Sequence, residues 1–296
     1  MRLASIHTYP VKSSHGQDHA CLQVLPWGLA GDRRWMLVDD AGVGVTQREV
    51  AAMVQLRPAV RTGGLVLRAA GRPDLDVPEP TGAAPVDVRV FNNRLRVPAL
   101  PAGAAADRWL ADLLGREVRL VWLAEPTRHQ PRDDRPDADA RLDAGDRVSF
   151  ADGYPLLLAN SASLAQLNDW LAESGSTEGP LPMTRFRPNV VVDDAPPWAE
   201  DDWTGRRLRI GSAVFQVADG CDRCVVTTTD QETGVRGKQP LRILAERRKF
   251  GRDLLFGQNL VPVGSVRAVG SGADGVPVDI DDFGTIGVGD PVELLP

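Results

Sequence analysis

Twenty-nine glycines and twenty-three prolines divide this 296-residue sequence so finely that few stretches are long enough for a helix of three turns. Proline fixes φ and removes a backbone donor, while glycine adopts conformations that end regular elements. A chain interrupted this often builds short strands joined by turns. The fold class is therefore mainly β with a few helices (α+β), and a sheet closed into a barrel is the expected architecture.

Apolar patterning places strands at Leu3 to Tyr9, Cys21 to Leu25, Trp35 to Val38, Leu65 to Arg68, Val86 to Val90 and Val118 to Leu123. Between the last two the period changes. Ala106, Trp109, Leu110, Leu113 and Leu114 share a helical face, and Gly115 is the expected C-cap. Glu125 to Asp146 is Pro-rich and charged, reads as an exposed loop, and sets the boundary between a domain of residues 1–122 and one of residues 123–296. Beyond it, Pro155 to Ala159 is a buried strand. A helix capped by Ser161 or Ser163 follows, with Leu164, Leu167 and Leu171 on one face and Gly175 as its stop. Further strands are expected at Val190 to Val192, Leu208 to Ile210, Val214 to Val217, Val225 to Thr229, Leu260 to Val263 and Val292 to Leu295, with a helix over Leu241 to Lys249.

Net charge is −6, which argues against a general nucleic-acid binder. Three cysteines, one of them the distant Cys21, do not make a disulfide scaffold and fit a reducing cytoplasm. The N-terminus has no apolar core of signal-peptide length, and no run of roughly 18 apolar residues occurs, so no membrane span is expected.

Chemistry concentrates at Cys221-Asp222-Arg223-Cys224, which runs into Val225-Val226-Thr227-Thr228-Thr229-Asp230. A thiol beside a cation favours its thiolate, the form that binds a soft metal. The residues alone leave other readings open. A zinc site needs four ligands, yet there is no second cysteine pair, and His7, His15, His19 and His129 all lie far upstream. A thioredoxin-like redox pair needs a helix after the second cysteine, where this sequence reads as strand. Two buried thiols packing as small hydrophobes is the plain alternative. Cations also stand at strand ends: Lys12 and Ser13 after the first strand, Arg33 before Trp35, and Arg187 with Asn189 before Val190. Loops of this kind gathered around one ligand would suit a phosphate, because arginine binds phosphate oxygens through two parallel bonds and lysine adds a point charge.

Taken in order, Tyr9-Pro10-Val11-Lys12-Ser13, Asp32-Arg33, Phe150 to Pro155, Arg185-Phe186-Arg187-Pro188-Asn189, Cys221 to Gly234, Phe256-Gly257-Gln258-Asn259 and Val288-Gly289-Asp290 resemble the MOSC superfamily, in particular its YcbX-like bacterial members and the amidoxime-reducing components. The resemblance implies a MOSC β-barrel preceded by a smaller MOSC N-terminal domain, and a mononuclear molybdopterin cofactor. By the same resemblance Cys224 is the molybdenum ligand. Lys12, Ser13 and Arg33 hold the cofactor's phosphate and pterin, and Arg187, Asn189, Asp222 and Arg223 surround the pterin. Asp152, Gly153 and Tyr154 form a lining loop that acts through backbone groups. Cys221 matches a cysteine that is not the ligand and is expected to pack nearby. Asp230 is a candidate proton donor, set against the ordinary role of an acidic turn residue.

The activity implied is two-electron reduction of N-hydroxylated compounds such as amidoximes, hydroxylamines and base analogues. The alternative is a carrier of cofactor or sulfur without turnover. Some relatives continue into a ferredoxin domain, but no Cys-x4-Cys-x2-Cys set occurs here, so no iron–sulfur cluster of that kind is expected and electrons come from a separate reductase. The membrane anchor of the mitochondrial relatives is likewise not expected here. Proline is common in the family where this chain has Gln231, a change expected to alter a turn without affecting the ligand.

Overall fold

A computed structural model describes residues 1–90, 96–126, 147–264 and 283–296. Residues 127–146, most of the expected charged loop, lie outside that set. The protein is mostly β, as its punctuation by glycine and proline implies. Its largest sheet runs in the order Val292–Leu295, Arg207–Ile210, Ala213–Asp222, Asp253–Val263, Leu156–Asn160, Val190–Asp193, Arg2–Thr8 and Gln17–His19. The ends of this path meet. Arg2 bridges Pro291, Leu3 N donates to the Asp290 carbonyl at 2.9 Å, and Val292 N donates to the Met1 carbonyl at 3.0 Å. The sheet thus closes on itself. Leu3, Ile6, Leu158, Val190, Val192, Leu208, Phe215 and Leu260 fill its interior.

One pair in this sheet, Leu156–Asn160 with Val190–Asp193, is parallel. A parallel pair needs a crossover, and the helix Ser161–Glu173 supplies it. The cap of that helix is Asn160, whose side-chain oxygen accepts from Ala162 N at 3.0 Å, and neither Ser161 nor Ser163 does so. Ser163 is fully buried and binds Glu200 at 2.6 Å instead, so burial took it out of the capping role.

Two smaller sheets make up much of the N-terminal half: Trp35–Val38, Arg119–Trp122, Val97–Pro101 and Val86–Val88 in one, Ala59–Arg61, Gly64–Leu67 and Leu75–Pro78 in the other. The helix Ala104–Leu114 buries Ala106 and Leu110 against them and ends at Gly115 with φ 61°, as its sequence implied. The strands at Ala59, Leu75 and Val97 are short and the last two carry proline, which hid them from periodicity.

A cut at residue 122 does not separate the sheets. Arg2–Thr8 and Gln17–His19 sit in the large sheet, and Cys21–Leu25 pairs with Thr285–Gly287. Alternation along a strand says that it pairs, not with which partner; here Leu3, Ile6, Val24 and Leu29 are needed to fill the barrel interior. At the sheet edge, His7 binds Asp18 at 2.7 Å and His19 binds Thr8 at 2.7 Å, tying Gln17–His19 to the first strand.

The segment Val225–Thr229 is not a strand. Val225–Thr228 forms one 3-10 turn headed by Cys224. Thr227 Oγ1 donates to the Cys224 carbonyl at 2.9 Å and Thr228 Oγ1 to the Val225 carbonyl at 2.8 Å. These local hydroxyl bonds stabilise a turn that the β-branched side chains alone would disfavour.

Gly257, in the long strand Asp253–Val263, has φ 81°, and a Cβ there would lie 2.4 Å from the Leu158 carbonyl oxygen of the neighbouring strand. Gly257→Ala is expected to lower the unfolding free energy by about 2 kcal/mol or more, read from urea denaturation. Gly251→Ala, with φ 61° but nothing within 4 Å, serves as the comparison and should cost only about 1 kcal/mol.

Candidate functional site

Tyr9 ends the first barrel strand, and the residues after it zip against the start of Trp35–Val38. Arg33 N donates to the Tyr9 carbonyl at 3.0 Å, Trp35 N to the Pro10 carbonyl at 3.1 Å, and Lys12 N to the Trp35 carbonyl at 2.8 Å. Asp32, buried, accepts from Tyr9 N at 2.7 Å and pairs with the Arg33 guanidinium. The Arg33 and Arg187 guanidinium carbons lie 4.7 and 4.1 Å from the centroid of the same Tyr9 ring. Burial pushes the Tyr9 phenol up to about 12, so the ring stays neutral beneath its two cations. Arg187 is pushed down to about 10 by burial and keeps its charge at neutral pH. Burial works against the charge on Arg33 too, but the Asp32 carboxylate overrides it and holds that group above its ordinary value.

These loops are held in costly backbone conformations. Five non-glycine residues have positive φ among the described residues, and three of them line one cavity: Ser13 at 65°, Arg33 at 47° and Arg187 at 55°. Each costs of order 1 kcal/mol, and such strain concentrates where a ligand must be met.

The cavity measures about 360 Å³, within the range of small-molecule sites. Lys12, Ser13 and Arg33 line one side, and Asp152, Gly153 and Tyr154 come from the loop after Phe150. Arg187 and Asn189 come from the loop before Val190–Asp193, and Asp222, Arg223 and Cys224 from the end of Ala213–Asp222. Those eleven residues, scattered over more than two hundred positions of sequence, are brought together. Asp230 is not among the lining residues. Its carboxylate accepts from Glu232 N at 3.1 Å and from Thr233 N at 2.8 Å, and these bonds hold it below the usual carboxylate range. These bonds place Asp230 within a turn.

Asn189 lines the cavity, but its amide is largely committed. Its Oδ1 accepts from Leu157 N at 3.1 Å and from Arg33 Nη1 at 3.0 Å, so it holds Arg33 in place. Asp152 acts through its side chain and not through backbone alone. Its carboxylate pairs with Lys12, and with Arg48 at 2.8 Å. Burial alone would raise this carboxyl, but the two cations hold it well below the ordinary range.

Arg48 is the residue that sequence reasoning missed. Its Nη2 also donates to Cys224 Sγ at 3.6 Å, so one guanidinium links the loop carboxylate to the thiol. The run Thr46-Gln47-Arg48 has no strand-end signature, and only its position after the turn at Gly42 to Gly44 marks it. Phe186 and Asn259 also line the cavity, and both lie in segments whose pattern pointed to the site. The two cysteines differ. Arg223 donates to Cys221 Sγ at 2.8 Å, yet burial pushes the Cys221 thiol up. Cys224 heads the 3-10 turn and faces Arg48. That turn removes the strand once set against a redox pair, but a single turn lacks the long helix whose dipole such a pair exploits.

Among the described residues no group of three or more His, Cys, Asp and Glu side chains is placed to share a metal ion. Two cysteine sulfurs, Cys221 and Cys224, line the cavity beside several cations, too few protein ligands for a metal alone but suited to a group that brings its own metal ligands together with a negative charge. A closed barrel with a cation-lined cavity at its mouth, fed by an N-terminal β domain, defines the class. The MOSC N-terminal beta barrel domain matches residues 1–117 and the MOSC domain matches residues 145–293, and the chain belongs to the MOSC family. Mitochondrial amidoxime-reducing component 1 of Homo sapiens is 32% identical over 99% of this chain and 82% of its own length. Mitochondrial amidoxime reducing component 2 of Homo sapiens is 30% identical over 98% of the chain and 82% of its own length. Molybdenum cofactor sulfurase of Oryza sativa subsp. japonica is 30% identical over 87% of the chain, which spans only 32% of that longer protein. No helix among the described residues is long and apolar enough to cross a membrane.

The ion pairs of Asp152 carry a pH signature. A carboxylate held below its unfolded value of about 3.9 contributes stability that is complete above that value and fades as pH falls toward the folded one. The stability difference between the native chain and Asp152→Asn should therefore be largest at neutral pH and shrink below about pH 4. Denaturant midpoints across that range measure it.

Proposed function

We propose that this chain holds a mononuclear molybdopterin cofactor in the cavity and reduces N-hydroxylated compounds with electrons from a separate protein. The observation that carries the reading is that Cys224, whose sulfur accepts from Arg48, shares a single cavity with Lys12, Arg33, Arg48 and Arg187; Cys221 also lines it, its sulfur bonded to Arg223. Cys224 would bind the metal. Lys12, Ser13 and Arg33 would hold the phosphate and pterin, with Arg187, Asn189, Asp222 and Arg223 around the ring system and the loop Asp152 to Tyr154 closing one side. When bound, the cofactor supplies the two-electron redox centre. The chain's own part is to fix that group, to shape access and to set charge nearby. Asp152 is kept ionised by Lys12 and Arg48, so at neutral pH it accepts hydrogen bonds and does not release a proton. Amidoximes, hydroxylamines and N-hydroxylated base analogues are the proposed substrates.

A second reading, a cofactor or sulfur carrier without turnover, is favoured by the sulfurase relatives that match the same span of this chain. Protein made in a cofactor-competent host separates the two. One molybdenum and one pterin per chain, with reduction of benzamidoxime by a viologen dye, supports the reductase. Cofactor release to an apo-acceptor with no turnover supports the carrier. Stoichiometric zinc without pterin sinks both.

Cys224→Ser is expected to lose molybdenum, because a serine hydroxyl is a hard and mostly protonated ligand at neutral pH. Cys221→Ser should keep it, since the Cys221 sulfur is already engaged by Arg223. Metal content per chain, read by mass spectrometry, checks the assignment, and the opposite pattern reverses it. With cofactor-replete protein, NADPH alone should drive no reduction, while NADPH with a flavin- or ferredoxin-containing reductase should. Turnover by the purified chain with NADPH alone would remove the need for a partner.

A further inference from the structure

Gln231, read from the sequence as a change in a turn, is 4% exposed and stands at the centre of a buried amide network. Its Oε1 accepts from Gln47 Nε2 at 3.1 Å and from Arg187 Nη1 at 3.0 Å. Its Nε2 donates to Gln47 Oε1 at 3.1 Å and to the Thr229 carbonyl at 3.0 Å. Gln47, fully buried, donates its remaining amide hydrogen to the Ser13 carbonyl at 2.9 Å. Both amides are oriented unambiguously, because the Ser13 and Thr229 carbonyls can only accept. Gln231 uses two donors and two acceptor positions, so its side chain has a single satisfied orientation.

The consequence falls on Arg187. Its Nη1 carries two hydrogens, and these go to the Ser14 carbonyl at 2.7 Å and to Gln231. With Nη1 saturated and the plane stacked 4.1 Å from the Tyr9 ring, the Nε–Nη2 edge is what the guanidinium keeps for a ligand. That edge is the one that meets an oxyanion through two parallel bonds. The choice of acceptor matters as much as the geometry. Lys12, Arg33 and Arg48 each pair with a carboxylate, whereas Ser14 and Gln231 offer Arg187 neutral oxygens only. A glutamate at position 231 would satisfy Nη1 equally well and cancel the charge.

We infer that Gln231, clasped to Gln47, is a positioning residue that fixes the Arg187 guanidinium edge-on to the cavity and leaves its full charge for an anionic phosphate group. The clasp also joins the two halves of the chain, since Gln47 belongs to the N-terminal family domain and Gln231 and Arg187 to the C-terminal one. This inference rests on the reading of the cavity as the seat of a phosphate-bearing ligand.

The test uses the full chain from a host that lacks the cofactor, with inorganic pyrophosphate as probe and calorimetry as readout. Gln231→Leu is expected to weaken pyrophosphate binding about 5- to 10-fold, comparable with the net loss of one ordinary hydrogen bond. The weakening should largely disappear when Arg187→Lys is already present, because lysine has no second edge to orient. A residue that merely supports the fold would cost the same in both backgrounds. Gln231→Glu, which sets a carboxylate against Arg187 and loses the donors to Gln47 and to the Thr229 carbonyl, should also weaken binding. Should Gln231→Leu not fold, Gln47→Leu removes the clasp without touching Arg187 and should show the same dependence on it. Unchanged affinity in these variants, or an equal loss with Arg187→Lys, overturns the inference while leaving the cavity reading intact. Absence of binding by the native chain overturns the cavity reading, and the inference with it.

Discussion

Two buried guanidinium groups share one tyrosine ring, and much of the molecule is arranged to make that tolerable. Arg33 and Arg187 would repel each other wherever water is excluded, and neither can shed its proton at neutral pH. Three neighbours offset the cost. The Tyr9 ring offers its negative face to both, an interaction worth about 0.5–2 kcal/mol per cation. Asp32 neutralises one of the two, and neutral oxygens hold the other. The remaining repulsion is stored in the site, where a negatively charged ligand relieves it. Left-handed backbone at Ser13, Arg33 and Arg187 has the same meaning: local strain kept at the point of use.

The barrel explains why these loops meet. Loops at one end of a closed sheet face one another whatever their separation in sequence: Arg2–Thr8 runs out to that end and Leu156–Asn160 and Val190–Asp193 start from it, each with a cavity loop there, while Ala213–Asp222, which runs opposite to Arg2–Thr8, adds its last residues and the turn that follows. Register shifts in Ala213–Asp222, at Val217 to Asp219 and Gly220 to Asp222, bend it just before the cysteine pair. Bends of this kind re-aim side chains beside active sites. The N-terminal half supplies Arg48 and Gln47 from a loop between its sheets, so the cavity is a joint product of both halves.

The sequence was informative wherever chemistry sat at the end of a clear apolar run. Lys12, Arg33, Arg187 and Cys224 all flank such runs, and the cavity gathers all four. It was silent on Arg48 and on the partners of Gln231, because neither is tied to a local pattern; those partners lie about 100 to 185 residues away. Val225 to Thr229 shows a different failure. Five consecutive β-branched residues imply a strand, but two of the threonines, Thr227 and Thr228, turn their hydroxyls back on the main chain and stabilise a turn instead. The placement of the first strand in the C-terminal sheet was equally illegible, since alternation fixes a face and leaves the partner open.

That placement bears on how the molecule comes into being. Arg2–Thr8 leaves the ribosome long before its neighbour Val190–Asp193 and its bridge at Pro291. At about 5–20 residues per second the first strand, paired early only with Gln17–His19, waits on the order of 10–40 s for Val190–Asp193. During that interval its buried faces, with the Tyr9 to Ser14 loop behind it, have no barrel to join. The loops of the site therefore meet only after the segment through Asn259 has been made.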